Sequence, residues 1–173
     1  GFPSKIDKIK KICKHYNIIL IEDAAEAVGS KFKDQHVGTF GEIGILSFNG
    51  NKTITTGSGG AILCKTGKVY NSLKHLSTQA KLKKEFDHYH DEVGFNYRMN
   101  NLSAAVGLAQ LENLSKIINA KRKNFKKYFH LLKDHSDYKI HKEPNSTKSN
   151  YWLIVLKCKN TKLKKKLIKE FKA

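Results

Sequence analysis

The hydrophobic period changes sharply between residues 4 and 23, and this change constrains the fold more than any other feature. Residues 4–15 carry Ile6, Ile9, Ile12 and Cys13 on one helical face, with Ser4 as the expected N-cap and Asp7 in the first turn. Residues 17–21, N-I-I-L-I, then form a short continuous apolar run rich in β-branched side chains. Such a run predicts a strand buried on both faces, as in a parallel sheet. Helix followed by buried strand makes the fold class α/β. The run ends in Glu22 and Asp23, which places a carboxylate at the carboxyl end of the sheet, where open α/β folds bind ligands.

Further strands are expected at 43–48 and 60–64, separated by a polar stretch that carries Gly50, Gly57 and Gly59. A helix is expected from Val69 to about Leu76, then a long loop from Ser77 to Glu92. Asn100 or Asn101 caps a helix with Leu102, Ala105, Val106 and Ala109 on one face and Leu108, Leu111, Leu114 and Ile118 on the next. Apolar on so wide a surface, that helix is expected to be buried. An amphipathic helix follows over 121–132, a loop over Pro144–Ser149, a strand over Tyr151–Leu156 and a helix from Leu163 to Ala173. A domain boundary falls near 120–135.

Composition narrows the function classes. At 173 residues and 39% apolar content, the chain has no apolar run near the roughly eighteen residues of a membrane span, and no secretory signal. Lys and Arg number 33 against 15 acidic residues, a net charge of +18. Only Arg98 and Arg122 are arginines, and the lysines are spread over almost every segment, which argues against nucleic-acid readout. Cys13, Cys64 and Cys158 are odd in number and far apart, as expected in a reducing, cytoplasmic setting without disulfides. His88 and His90 lack a third ligand at usable spacing, so no metal site is expected. Residue 1 is Gly and the only methionine is Met99, so the chain reads as a central fragment of something longer.

Three side chains carry the chemistry. Asp23 alone reads as a helix N-cap, since Ala24, Ala25 and Ala27 follow it. Lys52 stands in S-F-N-G-N-K-T, just beyond the second strand, where a partly desolvated amine is the kind that forms Schiff bases. With Ser47 five residues earlier, the set meets the needs of pyridoxal phosphate: an aldehyde partner, a carboxylate for the ring nitrogen and a hydroxyl for the phosphate. Gly57, Gly59 and Gly60 read as a tight connection rather than a phosphate loop. Phe86, Tyr89, Phe95 and Tyr97 suit a sugar or base pocket, or plain packing.

I-E-D-A-A-E-A-V-G-S (21–30), H-V-G-T-F-G-E-I-G-I-L-S-F-N-G-N-K-T-I-T-T-G-S-G-G-A-I (36–62) and V-G-F-N-Y-R-M-N-N-L-S-A-A (93–105) together resemble the DegT/DnrJ/StrS family of nucleotide-sugar aminotransferases. Glu26, F-N-G-N-K and S-N-Y-W-L (149–153) are most similar to its LegC-like branch. The resemblance implies part of a PLP fold-type I (aspartate aminotransferase-like) large domain over 1–120. A connecting helix and the start of the small C-terminal domain follow over 121–173. It implies a homodimer that transfers an amino group from an amino-acid donor, glutamate, to a nucleotide-linked keto sugar in cell-surface glycan biosynthesis. Lys52 becomes the lysine that carries pyridoxal 5'-phosphate and moves the proton, Asp23 the partner of the pyridinium nitrogen and Ser47 a phosphate ligand. Asn96 reaches the phosphate of the neighbouring subunit. Glu26 replaces the Gln that many members carry beside the cofactor's phenolic oxygen, and Arg98 meets substrate or interface carboxylates, or makes a structural salt bridge. Segments outside the chain then supply the rest of the phosphate cradle and the ring that stacks on the cofactor. The contrasting readings are a lysine-rich binding module for nucleic acid or anionic surfaces, and an inactive remnant of the aminotransferase.

Overall fold

The structure, a computed structural model, describes residues 1–82 and 88–171. In chain order the elements are α1 (Ile6–His15), β1 (Ile21–Asp23), β2 (Lys31–Phe32), β3 (Gln35–His36), β4 (Ile43–Ser47), β5 (Gly60–Cys64) and α2 (Gly67–Ser77). They continue with α3 (Asn101–Glu112), α4 (Leu114–Leu132), β6 (Tyr138–Ile140), β7 (Thr147–Lys148), β8 (Leu156–Cys158) and α5 (Thr161–Phe171). The architecture is mixed α/β. β1 pairs in parallel with β4, Asp23 opposite Ile45, and β5 runs antiparallel along the other edge of β4. β3, β2 and β7 form a second small sheet, and β6 pairs with β8.

One glycine sets the packing of the first sheet. A Cβ at Gly44 would collide with the Gly38 carbonyl, so only glycine lets β4 pass beneath the 37–41 loop. Ala24, Ala27, Val37 and Leu46 fill this core. A second cluster joins Phe125 of α4 to Ile140 and Tyr151, with the Phe125 and Tyr151 rings stacked at 3.8 Å.

Several expectations hold. The strands at 43–48 and 60–64 appear within a residue, and Asn100 caps α3 by accepting from Ser103 N at 2.8 Å. Others are corrected. The 17–21 run is not a doubly buried strand: Asn17 takes φ +51°, Ile18 N bonds back to Cys13 O, and Ile18, Ile19 and Ile21 are exposed. β1 starts only at Ile21 and, among the described residues, pairs with β4 alone. Ser4 lends its carbonyl to Ile6 N but does not cap α1, whose N-cap is Lys5 without a side-chain bond. α3 is not buried, since it packs on α4 and the loop after β4 and leaves Leu102, Val106, Leu108 and Leu111 in solvent. The 144–149 loop contains β7. Tyr151–Leu156 is no strand, because Tyr151 has φ +45° and the preceding Asn150 is spent on bonds to other segments; β8 begins at Leu156. Among the described residues, no helix is long and apolar enough to cross a membrane.

Candidate active site

The loop after β4 is a braced turn. Ser47 ends the strand, and its Oγ accepts from Asn49 N at 3.3 Å. Lys52 N donates to Asn49 O, while Phe48 N and Thr56 N tie the two arms of the loop together. Gly57 and Gly59 supply the positive φ values of +83° and +90° that let the chain return into β5, as the tight-connection reading expected. The Lys52 side chain is only 14% exposed, and its Nζ lies 3.6 Å from Glu26 Oε1 and 4.6 Å from the centre of the Trp152 ring.

Parallel pairing puts Asp23 and Ser47 at the same, carboxyl, edge of the sheet, with the Lys52 turn next in the chain. No helix follows Asp23, so the N-cap reading is corrected; its Oδ1 accepts from Ala25 N at 3.1 Å and caps a turn instead. Ala24 and Ala27, expected as helix formers, are core residues, because Ala24 N bonds to Ile45 O and holds this segment on the sheet. Asn96 is exposed and bridged to Thr78. Arg98 is also exposed and makes no ion pair among the described residues. Phe95 and Tyr97 stack on each other at 5.1 Å, and Tyr89 is half in solvent. Phe86 lies outside the described residues.

Residues 1–173 match the profile of the DegT/DnrJ/EryC1/StrS aminotransferase family throughout. The chain belongs to this family. It is 41% identical over 157 residues to a GDP-perosamine synthase of Escherichia coli O157:H7, covering 89% of this chain and 42% of that protein. Its fold matches an aminotransferase of Streptoalloteichus hindustanus, TlmJ, with a TM-score of 0.91 at 21% identity, covering 96% of this chain and 46% of that one. It also matches E. coli GDP-4-keto-6-deoxy-D-mannose-3-dehydratase with bound hydrated PLP, with a TM-score of 0.86 at 27% identity over 98% of this chain and 48% of that one. The chain therefore spans less than half the length of these relatives.

Three residues were given no role by the sequence reading, although Asn150 and Trp152 stand in the S-N-Y-W-L motif. Glu22 is buried and accepts from Gly38 N at 2.9 Å, Phe40 N at 2.5 Å and Gly41 N at 2.7 Å, which fastens the 37–41 loop to β1 beside Asp23. Its signal was a charge set in an apolar run, which demands internal partners. Asn150 and Trp152 come from far along the chain and reach the lysine turn: Asn150 Nδ2 donates to Thr53 Oγ1 at 3.1 Å, and Trp152 Nε1 donates to Asn51 O at 2.6 Å.

Charge elsewhere is structural. Arg122 grips Glu143 through both guanidinium arms at 2.6 and 2.9 Å, and Ser149 N donates to the same carboxylate. Burial pushes Glu143 up, yet the Arg122 fork and the Ser149 amide hold it below the usual carboxylate range. The hydrogen bond to Glu143 is also the main cause that raises Arg122. His75 meets Asp91 at 2.6 Å and Glu92 at 3.7 Å, and these three could together hold a metal ion, although His88 and His90 are not among them. The hydrogen bond from His75 lowers Asp91. All three cysteines are free and half-buried.

The donor set at the sheet edge fits pyridoxal phosphate: a sheltered amine, a carboxylate on the neighbouring strand and a hydroxyl at the strand end.

Proposed function

We propose that this protein is a PLP-dependent aminotransferase that moves an amino group from an amino-acid donor, glutamate, to a keto sugar carried on a nucleotide, in cell-surface glycan biosynthesis. One observation carries the reading. Lys52 is a sheltered lysine on the turn after β4, and the parallel neighbour β1 ends in Asp23 at the same edge of the sheet. The GDP-perosamine synthase likeness supports a nucleotide-linked sugar as substrate.

When bound, pyridoxal phosphate supplies an electron sink for charge released at the substrate carbon. Lys52 provides the amine that holds the cofactor carbonyl and afterwards the base that moves a proton. Asp23 provides the negative charge that keeps a pyridine nitrogen protonated, and Ser47 a hydroxyl for the phosphate. Glu26 lies beside the cofactor as the ion-pair partner of Lys52, Asn96 serves the neighbouring site of a homodimer, and Arg98 receives substrate carboxylates. We assign residues 1–120 to the cofactor-binding large domain and 121–173 to the connecting helix and small domain. We place the enzyme in the cytoplasm, a reading that the three unpaired thiols support.

The test is trapping. Millimolar pyridoxal phosphate followed by borohydride fixes even weakly held cofactor as a stable secondary amine, and peptide mapping finds its position. The expected result is label on Lys52, abolished in Lys52→Ala and in urea. Preferential label on Lys31 or Lys65 refutes the assignment.

A further inference from the structure

Residues 149–152 reach the lysine turn from 97 or more positions away in the chain. Asn150 is fully buried and leaves no side-chain atom without a partner. Its backbone N donates to Ser30 Oγ at 2.9 Å, and its Nδ2 hydrogens are shared among Glu26 O, Val28 O and Thr53 Oγ1 at 3.0–3.1 Å. Its Oδ1 accepts from Trp152 N at 2.9 Å. One side chain thus joins the segment that bears Glu26, the residue after Lys52 and the residue that presents the indole.

Trp152 completes the hold. Its Nε1 donates to the carbonyl of Asn51, the residue before Lys52, and its ring lies beneath the Lys52 ammonium. Lys121 Nζ, from α4, donates to the Trp152 carbonyl from behind at 3.4 Å. A sheltered indole N–H takes the acceptor that its surroundings offer. Here the N–H crosses to the turn that carries the reactive amine.

We propose that Trp152, anchored through Asn150, is the positioning residue of Lys52. It fixes the backbone ahead of the lysine by hydrogen bond and directs the amine by cation–π contact, while Glu26 pairs with the same amine. This rests on the reading of Lys52 as the cofactor lysine, but the holding contact is measurable without cofactor.

The experiment is reductive methylation of the chain with formaldehyde and cyanoborohydride, read lysine by lysine by mass spectrometry, in wild type, Trp152→Phe and Trp152→Leu. Trp152→Leu removes both contacts and is expected to raise the Lys52 rate about fivefold. Trp152→Phe keeps a ring but loses the bond to Asn51, and is expected to raise it about threefold. Exposed lysines such as Lys31 and Lys65 keep their rates and serve as internal controls. Unchanged Lys52 rates in both folded variants overturn the proposal, because a merely structural tryptophan would not govern this amine. Where circular dichroism shows that Trp152→Leu is unfolded, the Phe variant alone decides. If wild type is not trapped by pyridoxal phosphate at Lys52 yet the methylation rates respond, the cofactor reading falls and the positioning stands. If trapping succeeds and the rates do not respond, the positioning falls alone.

Discussion

Lys52 and Glu26 form a lopsided ion pair: the ammonium is 14% exposed, the carboxylate 54%, and 3.6 Å separates them. A pair with one partner half in solvent contributes little to stability, about 0.5 kcal/mol at most. Glu26→Gln is therefore expected to leave the thermal midpoint almost unchanged. It is also expected to match or exceed wild type in pyridoxal phosphate trapped on Lys52, since an amide removes the charge that would oppose a phenolate. A trapped yield that collapses in a folded Glu26→Gln protein would make the carboxylate itself essential to the amine.

Asp23 separates fold from chemistry. An asparagine at 23 still offers a side-chain oxygen to Ala25 N, so the turn after β1 survives and stability should stay within about 0.5 kcal/mol of wild type. What is lost is the negative charge at the sheet edge. Cofactor trapping should persist in Asp23→Asn while transamination falls about a hundredfold or more, the scale on which preorganised electrostatics act. Equal turnover in the two proteins would remove Asp23 from the site.

Gly44 offers a test of the sheet itself. Gly44→Ala forces a methyl into the Gly38 carbonyl, and neither β4 nor the 37–41 loop can retreat, because Glu22 pins that loop with three backbone hydrogen bonds. A loss of about 3 kcal/mol is expected in urea unfolding, with loss of Lys52 trapping, since the same strand carries the turn. An alanine variant as stable as wild type would show that the loop yields.

The parts of this molecule that were legible from sequence are those fixed by near neighbours. β4, β5 and the Asn100 cap follow from short patterns, and so does the position of Asp23 and Ser47 at strand ends. The 17–21 run misled because apolar content reports the capacity for burial and not the backbone path: Asn17 takes φ +51° and Ile18 N bonds back to Cys13 O, so the chain is still turning off α1 where a strand was expected. α3 formed as expected, but its apolar width did not say which faces are covered: Leu102, Val106, Leu108 and Leu111 are exposed. At 151–156 the apolar pattern gave way to a tertiary bond network: Asn150 is committed to Glu26, Val28 and Thr53, and Tyr151 takes a positive φ that no ladder accepts. Trp152 could not be found by spacing at all, since its contact with the turn spans 101 residues.

The Arg122–Glu143 pair makes the last prediction, a pH dependence with a defined sign. Arg122 spans from α4 to the loop before β7, its guanidinium also donating to Ser149 O at 2.6 Å, and so holds in place the segment that leads to Asn150 and Trp152. Burial raises the pKa of Glu143, but the Arg122 fork and Ser149 N outweigh it, and the folded value lies below the ordinary 4.5. A carboxylate depressed on folding contributes stability that is present above its unfolded value and is lost as pH falls through the folded one. Glu143→Gln removes the charge but nearly preserves shape, and is expected to cost about 2 kcal/mol at about pH 7, where the guanidinium loses its partner in a mostly buried place. Below the ordinary 4.5 the unfolded chain takes up the proton before the folded one does, so the gap between the two proteins should narrow as pH falls to about 3. Urea unfolding of both at the two pH values measures it. A gap that is equal at both would mean that the pair holds the segment by shape and hydrogen bonds alone, with no net contribution from charge.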